Sequence, residues 1–403
     1  MYIELPAEDP MSKSGNFVGR LCRSLYGTRD APMIWQDHLR ATLLRLGFEE
    51  AVTRPGYFRH RDRDLDVCVH VDDLLTAGVV INLKWMRDAL LEVYDLNAEI
   101  IGADDDMNKE AVYLGRRLKW VPDEGIRVHP DQRHVQRLLK DLGLESSQGL
   151  STPCVARTDS RKGVVDITKP KELLPELSPQ QARRHRAGVA RVVYLSQDRV
   201  DLAYVGVELA KTMATPRQGD PELLLRVGKY LATHRDVYQA YPYQGETEDI
   251  LVLTDSDWAN CMGSQKSVSG GAMFLGNHLV GAWSRLQSKI AQSSGEAELY
   301  SSNKGLSELA ELLDLLRPFF GGQWGRPELR TDASANRAIL LRRGSGSIKH
   351  LEAKDLWGQE LVRRYAVKVL RVDRAEMHAH VLASPSSASD FQYHLEQLGL
   401  YHD

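Results

Sequence analysis

The chain is expected to adopt an α/β (α+β) fold built from more than one domain, and three observations lead there. Short apolar runs rich in β-formers stop abruptly at acids or turn residues, most sharply in ILVLTDSDWAN, Ile250 to Asn260. Longer stretches between them carry apolar residues at helical spacing, such as Leu299, Leu306 and Leu313. A length of 403 residues allows two or three hydrophobic cores.

Composition narrows the chemistry only a little. The 52 Lys+Arg against 55 Asp+Glu give a formal net charge of −3, which neither announces nor excludes a polyanionic partner. Locally the balance shifts: between Ala333 and Val372 there are nine Lys/Arg against three acids, either a solvated helix face or a nucleic-acid contact. Cys22, Cys68, Cys154 and Cys261 are far apart and form no Cys-x-x-Cys pair, so no zinc cluster or disulfide framework is signalled. The N-terminus MYIELPAEDP lacks a secretion pattern, and no run approaches ~18 apolar residues. The expectation is a soluble intracellular chain with no membrane partner, cytoplasmic and with a nuclear phase allowed.

In the first segment, residues 1–110, Ile34, Trp35, Leu39, Leu43, Leu44 and Leu46 predict a helix from Met33 to Leu46 that Gly47 stops. After Tyr57-Phe58 and a charged turn from Arg59 to Asp66, Val67, Val69 and Val71 alternate with Cys68 and His70 as a half-buried strand. The chain then turns at Asp72-Asp73 before Leu74-Leu75, giving a β-hairpin with two acids at its tip. Two acids between strands are also ordinary turn chemistry.

LCRSLYGTRDAPMIWQDHL followed by HVDDLL resembles the second half of a copia-type retrotransposon reverse transcriptase, in which a tyrosine commonly stands in place of His70. That family uses two metal-binding aspartates, one of them in the Asp-Asp hairpin. The resemblance makes Asp72 and Asp73 half of a polymerase site, in an incomplete palm whose first aspartate would fall before residue 1. No polymerase activity is then expected of this chain alone without a further N-terminal Pol segment. One edge of this segment's sheet should lie uncovered.

Residues 111–248 read as a scaffold of the thumb or connection kind. YLGRRLKWVPDEGIRVHPDQRHVQRLLKDLGLE predicts strand, turn, strand and a helix striped by Val135, Leu138, Leu139 and Leu142, with Gly143 as its stop. Ser151 to Ser178, with Pro153, Pro170 and Pro175, reads as a flexible linker. Gln180 to Met213 and Pro221 to Thr233 read as two amphipathic helical stretches. YLSQDRVDLAYVGVELAKTMATP and LLLRVGKYL resemble the copia-type segment between polymerase and nuclease, which implies Arg183, Arg184, Arg186, Arg191 and Lys211 as candidate phosphate contacts.

Residues 249–385 carry the sharpest pattern, and 386–403 are set aside as a tail. Ile250–Thr254, Gly270–Leu275 and Leu279–Trp283 read as an antiparallel meander. A long helix starts near Gly295 and is expected to end at Pro318. Glu328–Thr331 is a fourth strand ending at Asp332, Ala333–Leu341 and Leu351–Tyr365 are helices, and Val367–Val372 is a fifth strand. Acids delivered at strand ends suggest a hard divalent cation, which takes oxygen ligands.

TDSDWANC, KSVSGGAMFL, WSRLQSKIAQSSGEAELYS, TDASANRAI and IKHLEAKDLW, in that order, resemble the ribonuclease H domain of copia-type retroelements. The resemblance implies that Asp255, a glutamate of the long helix and Asp332 hold two Mg²⁺ or Mn²⁺ ions and cut the RNA strand of an RNA–DNA hybrid. Glu296 and Glu298 are two residues apart and point to opposite sides of a helix. The family pattern selects Glu298, and Glu296 is assigned to the helix N-terminus. The usual fourth aspartate is replaced here by His380, which brings no negative charge, with Asp373 and Glu376 as nearby substitutes. Asp257 is read as a turn residue that could also ligate. Nucleic-acid contacts are expected from Ser256, Asn260, Ser293, Ser294 and Asn336, and from the basic run including Arg342, Arg343 and Lys349. The competing expectations are an inactive remnant that binds without cleaving and a polymerase part completed by another chain.

Overall fold

A computed structural model describes residues 2–155, 174–320, 327–346 and 350–402, apart from 16, 26, 246, 248 and 260–263 and the side chains of 14 and 318–320. Two compact units divide it, Met1–Ala98 and Glu99–Asp403.

In the first unit β1 (Tyr2–Glu4) pairs antiparallel with β2 (Val18–Arg20). Helix α1 (Ala31–Arg45) covers the expected stretch and stops before Gly47. An antiparallel sheet follows in the order β3 (Glu49–Glu50), β4 (Tyr57–His60), β5 (Leu65–His70), β6 (Asp73–Gly78), and then comes α2 (Val80–Leu91). Leu39 and Leu43, four apart on α1, meet Leu65 and Val67, two apart on β5, together with Phe58, Met86 and Leu90. Strands β3 and β6 are the terminal strands of this sheet.

The second unit opens with β7 (Glu110–Tyr113), β8 (Arg116–Val121), β9 (Gly125–His129) and α3 (Gln132–Leu142). Val135, Leu138 and Leu139 are the buried stripe of α3. Helices α4 (Pro179–Leu195), α5 (Ala203–Ala210) and α6 (Asp220–Thr233) follow, so the first expected helical stretch is broken between Leu195 and Ala203. In that break Arg199 and Asp201 are fully buried and paired at 2.6 Å, and the Tyr230 hydroxyl donates to Asp201 at 2.8 Å. The expected linker falls largely on residues outside those described; on its flank Thr152 is buried and accepts a hydrogen bond from Arg226 at 3.0 Å.

Strand β10 (Val237–Pro242) joins two sheets' worth of sequence. It pairs with β9 on one side and with β16 (Leu400–His402) on the other, giving the antiparallel order β16-β10-β9-β8-β7. The last stretch is therefore no loose tail: α11 (Ala388–Gln397) buries Phe391 and Leu395, and β16 closes a sheet.

The remaining elements are β11 (Ile250–Ser256), β12 (Val268–Leu275), β13 (His278–Leu286), α7 (Ser294–Phe320), β14 (Glu328–Thr331), α8 (Ser334–Leu341), α9 (Trp357–Arg364), β15 (Lys368–Arg371) and α10 (His380–Ala383). They form a mixed sheet in the order β13-β12-β11-β14-β15, with β11, β14 and β15 parallel. Pro318 does not end α7, which runs to Phe320. Leu299, Leu306 and Leu313 of α7 are buried against Ile250, Val252 and Leu329, each contributing about 1.5–3 kcal/mol. The other face of β11 and β12, with Leu253, Ala272 and Phe274, packs into a core shared with α3 to α6 and α11. The stretches 111–248 and 249–385, expected as separate domains, thus have a core in common.

Two glycines set how closely helices approach the end of β11 and its neighbour β12. A Cβ on Gly305 of α7 would lie 2.5 Å from Thr254 Cγ2, so its absence lets the helix approach β11. A Cβ on Gly270 of β12 would lie 2.7 Å from the backbone of Leu382 and Ala383, so α10 rests directly on the strand.

Candidate metal centre

Strand β11 carries Asp255 as its penultimate residue, α7 carries Glu298 in its second turn, and Asp332 follows the last residue of β14. Because β11 and β14 are parallel neighbours, both strands end on the same side of the sheet. The serines of α7 fasten that helix to the strand end. Ser301 Oγ donates to the Asp255 carbonyl at 2.7 Å, and Ser302 Oγ lies 2.9 Å from Thr254 Oγ1. One carboxylate oxygen from each of Asp255, Glu298 and Asp332 lies within 4.8 Å of the others, an arrangement positioned to coordinate a divalent cation.

Electrostatics agrees with that chemistry. Burial first, and the Asp255 carboxylate second, push Glu298 up to about 9. Burial and then Asp255 also raise Asp332. Glu298 and Asp332, crowded against Asp255 without a cation, hold protons they would otherwise lose. Glu298 is 5% exposed, and its Oε2 has no hydrogen-bond partner among the described residues. A buried oxygen left unpaired is costly. Hard oxygen donors around such an atom fit a hard divalent cation.

The two glutamates separate as helix geometry requires. Glu296 accepts from Gln292 N at 2.8 Å, Tyr300 Oη at 2.5 Å and His350 Nε2 at 2.9 Å. Burial opposes its charge, but those hydrogen bonds hold it below its usual range. Glu298 instead faces Ser256, whose backbone N–H and Oγ donate to Oε1 at 3.0 and 2.8 Å.

His380, the first residue of α10, stands beside the converging set rather than within it. Its Nδ1 is 2.8 Å from Asp255 Oδ2, and Ser384 Oγ is 3.0 Å from its Nε2. Asp373 and Glu376 are exposed and do not join the cluster. Asp257 accepts from the Val268 N–H, a turn role rather than ligation.

Several expected nucleic-acid contacts lie elsewhere. Asn336 is fully buried, donating to Ser302 Oγ at 2.7 Å and Thr331 Oγ1 at 3.2 Å, because its place on α8 turns it inward. That corrects its assignment as a contact. Ser256 is engaged by Glu298, and Ser293 Oγ accepts from the Glu296 N–H. Arg342 donates to the carbonyls of Gly344 and Ser345, while Arg343 and Ser294 are exposed. Lys349 and Asn260 fall outside the described residues. In the preceding segment Arg186 donates to the Met213 and Ala214 carbonyls, Arg191 pairs with Asp141 and Lys211 with Glu208, whereas Arg183 and Arg184 are exposed.

Asp72 and Asp73 are exposed at the β5–β6 turn, and among the described residues no third acid converges on them. Val71 holds that turn with φ +59°, a conformation β-branched residues rarely adopt, and Trp35 Nε1 donates to its carbonyl at 2.8 Å. Sequence reasoning missed Ser301 and Ser302 as fasteners; their signal is a pair of small polar residues three and four positions beyond Glu298.

Comparison with known proteins gives the same direction over most of the chain. Residues 1–156 match the family described as reverse transcriptase (RNA-dependent DNA polymerase). The retrovirus-related Pol polyprotein from transposon RE2 of Arabidopsis thaliana is 27% identical over 96% of this chain and 25% of its own length. That from transposon TNT 1-94 of Nicotiana tabacum is 21% identical over 100% of this chain and 29% of its own length. The chain thus spans about a quarter of these relatives. Among solved structures, LC11-RNase H1 isolated from compost matches 34% of this chain and 94% of its own with TM-score 0.28 and 14% identity. RNase H1 of Halobacterium salinarum NRC-1 matches 34% of this chain and 94% of its own with TM-score 0.27 and 17% identity. The chain is thus similar along nearly its whole length to parts of retrotransposon Pol polyproteins, and its first 156 residues match the reverse transcriptase family.

Proposed function

We propose that the second unit is a metal-dependent nuclease of the ribonuclease H type, cutting the RNA strand of RNA–DNA hybrids. The observation that carries this reading is the convergence of Asp255, Glu298 and Asp332 around the buried, unpaired Oε2 of Glu298. These three residues would hold Mg²⁺ or Mn²⁺, with two ions as the full complement. Bound divalent ions supply Lewis-acid activation of water and neutralise charge developing at the phosphodiester. The residues themselves supply negative charge in a partly buried place where it attracts cations strongly. The helix face fixed by Ser301 and Ser302 keeps Glu298 opposite Asp255, so the ligands are organised before substrate arrives. His380 brings no negative charge to the set, and the second ion is accordingly the weaker one.

Selectivity for RNA would come from groups near the site that contact 2′-hydroxyls, and exposed Arg343 would contact phosphates. The test is cleavage of an end-labelled RNA strand in a hybrid, with single-stranded RNA and duplex DNA alongside, in Mg²⁺, Mn²⁺ and EDTA. Cleavage confined to the hybrid and abolished by EDTA is expected. Absence of cleavage in both metals would overturn the reading and favour a remnant that binds without cutting.

A further inference from the structure

Ser256 sits one residue beyond Asp255 at the end of β11, where a substrate contact is a natural assignment for a serine. The geometry excludes that use of its single hydroxyl proton. Both donors of this residue, the backbone N–H at 3.0 Å and Oγ at 2.8 Å, reach the same oxygen, Oε1 of Glu298. Glu298 lies 42 residues along the chain, on a different element.

We propose that Ser256 is a positioning residue that fixes the Glu298 carboxylate for cation binding. This rests on the reading of the acidic cluster as a metal centre. A glutamate side chain has three rotatable bonds, and one hydrogen bond leaves its carboxylate free to swing. Two donors held together in one rigid strand end take up one oxygen and fix the plane of the group. The other oxygen, Oε2, is thereby left buried without a partner among the described residues. Strand β11 then supplies both a ligand, Asp255, and the clamp on a second ligand, so the positions of Asp255 and Glu298 are set by the same few atoms. Outer partners of this kind commonly govern metal affinity by about 10–100-fold.

The test is Mn²⁺ binding by the full chain in the absence of nucleic acid, followed by the electron paramagnetic resonance signal of free Mn²⁺. Ser256→Ala keeps the backbone donor and removes the hydroxyl; its Mn²⁺ dissociation constant should rise about tenfold. Ser256→Thr retains a hydroxyl and should restore binding to within about twofold, while melting temperatures in EDTA stay alike. Ser256→Cys, with a weaker donor of similar size, should fall between them and carries the comparison should Ser256→Ala not fold. Binding by Ser256→Ala or Ser256→Cys equal to that of the unsubstituted chain would overturn the proposal. So would a folded Ser256→Thr that binds as weakly as Ser256→Ala, or no Mn²⁺ binding by the unsubstituted chain. Because no hybrid is present, failure to cleave RNA would count against the proposed function without touching this result.

Discussion

His380 Nδ1 and Asp255 Oδ2 lie 2.8 Å apart across 125 residues of sequence. The contact exists because α10 rests on β12 at Gly270, where a Cβ would meet the helix backbone. An imidazole in that place holds one oxygen of Asp255 and adds no negative charge to the cluster. Introducing a carboxylate should therefore strengthen cation binding, since affinity for hard ions rises with ligand charge. In His380→Asp the Mg²⁺ concentration giving half-maximal hybrid cleavage is expected to fall, by about an order of magnitude. Titration of cleavage rate against Mg²⁺ checks this; an unchanged or higher requirement would contradict it.

The protonation of Glu298 predicts how the metal-free protein responds to pH. Burial and Asp255 carry this carboxyl from 4.5 up to about 9 in the folded chain. The folded state then binds more protons than the unfolded state between those values, so stability falls as pH rises. The contribution is fully present below about pH 4.5 and is lost as pH passes through about 9. Asp332, also raised, acts in the same sense. In EDTA the melting temperature should drop from pH 6 to pH 9. Glu298→Gln should flatten that slope and melt higher than the unsubstituted chain at pH 9. An identical slope in the variant would show that Glu298 is not the titrating group.

Away from the site, the buried pair Arg199–Asp201 anchors the break between α4 and α5. Burial opposes the Asp201 charge, yet Arg199 and the Tyr230 hydroxyl hold its carboxyl below the usual range. The Arg199 guanidinium also donates to the His234 carbonyl at 3.0 Å. Asp201→Ala would leave a fully buried cation uncompensated, a loss of about 3–5 kcal/mol. Urea unfolding of the two proteins measures it; a loss under about 1 kcal/mol would mean that water reaches the guanidinium after substitution.

The region that carries the acidic cluster is legible in the sequence because its signals are local. Acids stand at the next-to-last position of β11 and just after β14, and α7 carries leucines seven apart, so none of these elements needs a distant partner to be recognised. Strand β10 is not legible in this way, since VYQAYP ends in proline and its partner β16 lies at the far end of the chain. The buried Gln239 of β10 donates to the Leu398 carbonyl, a contact 159 residues away that no local pattern announces. The choice of Glu298 over Glu296 comes from the turn of a helix together with a family pattern. The expected placement of Asn336 fails because proximity to Asp332 in sequence says nothing about which side of α8 faces the core. Ser256 stands out by position, but its use by Glu298 depends on where α7 begins and how closely Gly305 lets it approach β11.

The most direct test compares cleavage of a labelled RNA–DNA hybrid in Mg²⁺ and Mn²⁺ by the unsubstituted chain, Asp255→Asn, Glu298→Gln and Glu296→Gln. The first two substitutions should each lower the rate by more than about a hundredfold, beyond the loss typical of an outer-shell change. Glu296→Gln should retain most of the activity, its effect confined to the hydrogen bonds with Tyr300 and His350. Equal cleavage by Asp255→Asn and the unsubstituted chain, or loss in Glu296→Gln with Glu298→Gln active, would contradict the assignment of the metal centre.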